Sequence, residues 1–390
     1  MFLHFLIFVR GASYDFCVAP AKNAAPVPGM KLYHSLVTFR HGHRSPIFVY
    51  LPQANRGYWA CDGAGAAAPR IESAPSTKYR YYEQTLDPIT AEFPPSCRPG
   101  DLTVDGMQQH VNLGAQYRKY LVNELQFLPQ KMEPSLFAFY SSPIERCFRS
   151  AESFINGLYP PLSTNEVLTI TSSSEHLSPL FVTSAMCADY KEMATNFKAS
   201  EALKKYFDDL WPILSNAMTQ VSLTKTPENI QSFCSWVIAH NCTDATIPPS
   251  FVTNDVMEAC QKETAYIQYG QYLSAKDIGV AGSAPMRMIM KIIDDALAAQ
   301  GGKKFSVLSS HDTTVASLLV MLGHNYERIP PYTAHLNVEL WQDNAGKSYI
   351  RFVYNGSPLV IPSFDDSLMD YQSFRSYIDP KTKYCQEIPV

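Results

Sequence analysis

The chain has 390 residues, of which 46% are hydrophobic and 17% charged, with a formal net charge of -4 and a pI near 6.2. This composition supports a sizeable buried core, arranged as two compact domains or as one domain carrying an insertion. It excludes a global basic field, so nucleic acid is not an expected partner and any anion site has to be built locally.

In chain order, Met1 to Val9 (MFLHFLIFV) form an apolar run too short to cross a bilayer but long enough for the core of a secretory signal. Residues 1–13 are therefore read as a signal peptide. A buried strand is the alternative, because no positive charge precedes the run and Arg10 follows it. Nine cysteines, at 17, 61, 97, 147, 187, 234, 242, 260 and 385, include no Cys-x-x-Cys, which favours disulfides over tight zinc or redox spacing. The odd count leaves a thiol over, and the connectivity stays open. The sequons Asn241-Cys242-Thr243 and Asn355-Gly356-Ser357 agree with secretory passage.

Lys31 to Phe39 reads as a strand that ends in a glycine-containing turn, Arg40-His41-Gly42-His43-Arg44. Leu51 to Asp101, rich in Pro, Gly and Ala, is a long excursion that Cys61 and Cys97 could staple. A helix follows over LTVDGMQQHVNLGAQYRKYLVNEL, with Met107, Val111, Leu113, Tyr117, Leu121 and Leu125 on its apolar face. Ser135 to Ser142 is a second strand, Pro143 suits the first turn of the next helix, and VLTITSS is a third strand. From 180 to 261 strand signals vanish in favour of helical, Trp- and Pro-punctuated segments with four of the cysteines, an inserted helical lobe. The helix APMRMIMKIIDDALAAQ, the strand KFSVLSS, the helix HDTTVASLLVMLG and a hairpin HLNVELW/YIRFVYN complete the pattern. The alternation predicts an α/β fold: a layered, mainly parallel sheet flanked by helices, formed by 31–179 and 262–390. No stable membrane span is expected.

Three strands end in polar clusters: Phe39 at Arg40 to Arg44, Tyr140 at Ser141-Ser142 with Arg146 beyond, and Leu308 at Ser309-Ser310-His311-Asp312. In an open parallel sheet these ends face the crevice where ligands bind. Arginines and histidines gathered there make a donor-rich cavity for a dianion such as phosphate, because each guanidinium presents a planar fork of N–H groups. Gly42 would let the backbone turn sharply and Pro46 stiffen the exit. Asp312, opening a helix, has a second possible role as an N-cap.

The spacing Arg40-His41-Gly42-x-Arg44-x-Pro46 resembles the signature of the histidine acid phosphatases, within the histidine phosphatase superfamily. The resemblance extends over most of 31–390, through LTVDGMQQHVNLGAQYR, SSPIERCFRSAESF, SSHDTTVASLL and the closing hairpin. It implies a phosphoglycerate mutase-like core, no cofactor and no metal. It also implies a phosphate monoester substrate, with His41 as nucleophile, Asp312 as proton donor, and Arg40, Arg44, Arg146 and His311 as phosphate ligands. Where phytases typically show His-Ala-Glu this chain has His311-Asp312, and a cysteine pair common in the family after the hairpin is replaced by PSFDDSLMDYQSF, which implies a different partner for Cys385.

Rival readings are a glycan (phosphoxylose) phosphatase of the same family, a catalytically silent secreted binding protein that keeps the fold, and a phosphomutase. The His41-x-His43 pair also resembles an amidohydrolase metal site, but the further ligands that chemistry needs are not evident. The expected compartment is the secretory pathway, whether secreted, lysosomal or Golgi lumen; the oligomeric state, a dimer included, stays open.

Overall fold

The computed structural model describes residues 16–52, 57–61, 93, 96–161, 167–174, 177–243, 249–298 and 302–385. The expected signal peptide and most of the 51–101 excursion lie outside the described residues. Strand β1 (Lys31–Arg40) is buried along nearly its whole length instead of alternating, because helices cover the sheet on both faces. Its side chains still divide with period two. Leu36 joins Leu308, Met286, Ile289, Val315 and Val338 in a cluster on one face, while Val37 and Phe39 join Val307, Phe305, Leu113, Tyr117 and Phe154 on the other.

The sheet runs β3-β2-β4-β1-β5-β6-β7, with β8 also on β6, from strands β2 (Phe137–Ser141), β3 (Thr171–Ser172), β4 (Phe305–Ser310), β5 (His335–Gln342), β6 (Ser348–Tyr354), β7 (Ser357–Pro358) and β8 (Leu368–Asp370). Its strands are parallel from β3 through β2 and β4 to β1 and antiparallel beyond, as β5 pairs with β1 and β6 with β5. The α/β layering is as expected, and the closing hairpin supplies the antiparallel half of a mixed sheet. The third strand is much shorter than VLTITSS predicts. Only its last residues pair with β2, while Leu168 and Ile170 before them reach the core as irregular chain.

Helix α1 (Val104–Tyr117) is capped by the Thr103 hydroxyl, which accepts the Gly106 N–H, and it widens into a π-helical stretch over Arg118–Glu124. Helix α2 (Glu145–Leu158) starts after Ile144, so Pro143 precedes its first turn instead of occupying it. These two helices cross where Gly114 meets the Phe154 carbonyl and Gly157 meets the Val111 carbonyl, at separations that leave no room for a Cβ on either glycine. On the opposite face lie α7 (Gly279–Ala298), α8 (Asp312–Met321) and α9 (Tyr371–Ile378).

The helical segment comprises α3 (Ala188–Lys198), α4 (Glu201–Gln220), α5 (Pro227–Asn241) and α6 (Asn254–Leu273). Phe207, Leu214, Phe233, Trp236 and Val256 share its core. Helix α6 continues to Leu273, where Tyr269 and Tyr272 pack with Ala316 and Val320 of α8, so one rod carries both the lobe and its attachment. Four disulfides fasten this arrangement: Cys61–Cys97, Cys234–Cys260 between α5 and α6, Cys17–Cys242, and Cys187–Cys385. Cys147 is the remaining thiol, and it is buried. Of the two sequons, Asn241 is buried with its amide donating to the Val237 carbonyl (3.0 Å), which leaves no space for a glycan. Among the described residues no helix is long and apolar enough to cross a membrane.

The α1–α2 crossing yields a direct test. Gly157→Ala is expected to cost about 1–3 kcal/mol of stability through overpacking, read as a lower urea midpoint; an unchanged midpoint would refute the close approach.

Candidate active site

Register brings the strand ends together: Arg40 is level with Ser310 across β1–β4, and Ser141 with Ser309 across β2–β4. The three polar clusters therefore open on one crevice. The turn after β1 is tied on every side. The His41 N–H donates to the Ser310 carbonyl (3.0 Å), the Gly42 N–H to Ser150 Oγ (3.1 Å) and the Ser45 hydroxyl to the Arg98 carbonyl (2.6 Å). Gly42 does not serve here as a left-handed turn. Its missing side chain admits the Gly106 backbone, which would collide with any Cβ, and Gly106 in turn lies against the His43 backbone.

His41 is 2% exposed. Its Nδ1 faces the Gly42 carbonyl at 2.8 Å, and a carbonyl only accepts, so Nδ1 carries the proton and Nε2 keeps its lone pair. Burial, then the charges of Arg146 and Arg40, hold its pKa well below the usual histidine value, which keeps the ring neutral. The His311 ring stands edge-on to it at 5.7 Å between centroids. Burial and Arg146 push His311 down to about 3. Its Nε2 lies 2.8 Å from the Ser142 hydroxyl and 3.4 Å from Cys147 Sγ.

Arg40 donates to the Pro330 carbonyl (2.7 Å), pairs with Asp312 through Nη2 (2.9 Å), and lies over the Tyr332 ring with 4.2 Å to its centroid. Arg44 reaches the Ser45 carbonyl (3.0 Å) and Ser235 Oγ of α5 (3.2 Å). Burial brings its pKa down to about 10, so it stays charged. The Nε atoms of Arg40 and Arg146 are buried without a protein acceptor. Among the described residues only Arg40 of these three is paired with a carboxylate, that of Asp312, and unspent buried donors of this kind match an anion with several oxygens.

Asp312 is the first residue of α8, with His311 in the cap position, so it does not act as the N-cap; its Oδ1 accepts the Thr313 N–H at 2.8 Å. Burial raises its pKa, but Arg40, His311 and Arg44 outweigh burial and hold the carboxyl below the ordinary aspartate range. The side chain is 25% exposed, which leaves it open toward the mouth of the crevice.

All six residues singled out from sequence converge here. Three others carry the framework: His43, at the variable position of the signature, and His110 and Tyr332, which no motif announces. His43 stacks on Trp59 and directs Nδ1 at Thr103 Oγ1 (2.8 Å) and Nε2 at the Ala239 carbonyl (3.0 Å), so both nitrogens are committed and it does not form a metal pair with His41. His110 is buried, and its Nε2 donates to the Arg40 carbonyl (3.1 Å). Its spacing with Met107, Leu113 and Tyr117 is the signal that places it inward. Tyr332 gave no signal, because it lies in a loop remote in sequence. Arg149 pairs with Glu145 at 3.0 Å.

An α/β layer sandwich with a helical insertion and an arginine-lined histidine at the strand ends defines the histidine phosphatase class. Residues 32–355 match the model of the histidine phosphatase superfamily, branch 2, and the chain belongs to that family of phosphatases. Counting factor 60 of Dictyostelium discoideum is 24% identical over 375 residues, covering 92% of this chain and 88% of that protein. Lysophosphatidic acid phosphatase type 6 of Bos taurus is 23% identical, covering 89% and 82%, and prostatic acid phosphatase of Rattus norvegicus is 26% identical, covering 72% and 77%. The phytase of Hafnia alvei in complex with tartrate shares the fold with a TM-score of 0.62 at 16% identity, over 94% of this chain and 100% of that one.

Burial of so many neutral histidines has a consequence for stability. His34 and His43 are depressed to about 4 and His110, His240 and His311 to about 3, in each case chiefly by burial. Between those values and about 6.5 the unfolded chain binds more protons than the folded one, so stability falls as pH drops through that window. Glu263, raised to about 8 by burial, acts oppositely, as do Glu152 and Glu339, whose carboxyls burial also pushes up, but the depressed histidines outnumber them. The melting temperature is expected to be lower at pH 4.5 than at pH 7 by at least about 5 °C; a higher value at pH 4.5 would contradict the neutral, buried histidines.

Proposed function

We propose that this phosphatase hydrolyses phosphate monoesters through a phosphohistidine on His41. The observation that carries the reading is the fixed tautomer of His41: Nδ1–H is spent on the Gly42 carbonyl, so a neutral Nε2 lone pair faces the cluster of arginines. A neutral imidazole surrounded by guanidinium groups attacks phosphorus without first losing a proton, and the cations stabilise the charge on the equatorial oxygens. Arg40, Arg44, Arg146 and His311 would hold those oxygens, and Asp312 would protonate the departing alcohol.

Paired with Arg40, Asp312 is ionised, so it needs a proton before it acts as an acid. A substrate that enters as the monoanion delivers one. The phosphoryl oxygens then take over Arg40, and the carboxyl beside a dianion retains its proton by simple Coulomb repulsion of the alternative. The proton passes from the substrate to Asp312 and on to the leaving oxygen as the P–O bond breaks and the N–P bond forms. Water, deprotonated by the same carboxylate, then opens the N–P bond and releases phosphate.

This sequence favours acidic pH, because the second ionisation of a monoester lies near about 6. Joint retention of nucleophile, acid and all four ligands argues against a silent binding protein. The four disulfides fit an oxidising compartment, and we place the enzyme in the lumen of the secretory pathway.

Two measurements test the reading. His41→Ala should abolish release of phosphate from an aryl ester and the trapping of labelled phosphate in acid-labile form; retained turnover would sink it. Asp312→Asn should lower kcat by about 10²–10⁴ for an alkyl phosphate and far less for an aryl phosphate, whose leaving group needs no proton. Equal losses on both would remove Asp312 from the role of acid.

A further inference from the structure

The segment leaving the signature turn, Pro46-Ile47-Phe48-Val49-Tyr50, carries apolar side chains where a polar loop would be expected beside a charged site. Ile47 is 40% exposed and Phe48 38%. They lie on the crevice rim: a Cβ built on Gly100 would stand 3.5 Å from Arg146 Nη1 and 3.5 Å from Ile47 Cγ1, so Ile47 flanks the guanidinium across a residue with no side chain. Phe48 stacks on Tyr50 (6.1 Å between centroids, 10° between planes), and Tyr50 packs edge-on to Trp236 of α5, the helix that also bonds Arg44 through Ser235. A continuous apolar sill thus runs from Arg146 to the helical lobe.

The charges beside this sill are already matched. Arg98 pairs with Asp101 (3.2 Å) and Glu145 (2.8 Å), and Arg149 pairs with the same Glu145 (3.0 Å). Two cations meeting two carboxylates add no net positive charge to the rim, so among the described residues the excess charge belongs to the phosphoryl clamp. Among the described residues a polyphosphorylated polyol finds no unmatched cation there for its other phosphates, whereas an apolar group attached to the ester oxygen would cover Ile47 and Phe48 and remove them from water.

We infer that the sill formed by Ile47, Phe48 and Tyr50 receives the alcohol of the substrate, and that the preferred substrates are phosphate monoesters of apolar alcohols. The inference rests on the phosphatase reading above and names its substrate class. A series of n-alkyl phosphates from ethyl to octyl isolates the effect, because the acidity of the alcohol hardly changes along it and a trend in kcat/KM reports contact with the chain.

The expected rise from ethyl to octyl phosphate is about tenfold or more, with inositol hexakisphosphate below octyl phosphate. The double variant Ile47→Asn, Phe48→Ser, which adds no charge beside Arg146, should flatten the rise to within about twofold, with an unaltered circular dichroism spectrum showing that the variant is folded. A flat series in the unaltered enzyme, a slope untouched by the double variant, or preference for inositol hexakisphosphate over octyl phosphate overturns the sill while the phosphatase reading stands. Absence of turnover on every ester, aryl phosphate included, overturns both.

Discussion

Three arginines that enclose a neutral histidine, with one aspartate to answer them, are the constraint on which the rest of the structure depends. Like charges so placed repel, and water that would screen them is largely shut out. Such a cluster persists only where the backbone around it has no lower alternative. That rigidity is visible at each contributor: Arg40 is held by a carbonyl, a carboxylate and an aromatic face, Arg44 by a hydroxyl from α5, and His41 by carbonyls on both sides. The glycine contacts serve the same end, since Gly42 against Gly106 and Gly114 against Gly157's helix bring α1 and α2 close enough to fix the turn after β1.

Much of this was legible in the amino-acid sequence because the chemistry-bearing residues sit at the junctions of regular elements. Strand runs ending at Phe39, Tyr140 and Leu308 put Arg40 to Arg44, Arg146 and His311-Asp312 at strand termini, and a layered fold sends those termini to one side. Legibility failed where three-dimensional context outweighed local pattern. VLTITSS has strand composition but meets β2 only at Thr171 and Ser172, while Leu168 and Ile170 before them pack into the core as irregular chain. Helix α6 runs past 261 since Tyr269 and Tyr272 continue its buried face onto α8. Asp312 reads as an N-cap until the backbone shows that the helix begins one residue earlier than such a cap requires. Histidines 43 and 110 and Tyr332 do their work by bracing backbone and guanidinium groups, and bracing depends on tertiary distance, which no motif records.

The helical segment bears directly on the residues around the site. The Ala239 carbonyl receives His43, Ser235 receives Arg44, and Trp236 backs Tyr50, so one face of α5 contacts the signature turn at two points and the segment leaving it at a third. The disulfide from Cys234 to Cys260 anchors that helix to α6, which is itself anchored to α8 and hence to Asp312. The phosphoryl clamp and the acid are therefore joined by two routes, one through the sheet and one through the lobe.

The unpaired Cys147 shows how burial governs chemistry before the enzyme is finished. Its sulfhydryl touches the Ser310 carbonyl and the His311 ring, and burial pushes its pKa up to about 12. Only the thiolate attacks a disulfide, and at neutral pH such a group is almost wholly protonated. Once α2 has docked on β4, the odd sulfur is out of circulation, and scrambling of the four crosslinks is confined to chains that have not yet closed that interface.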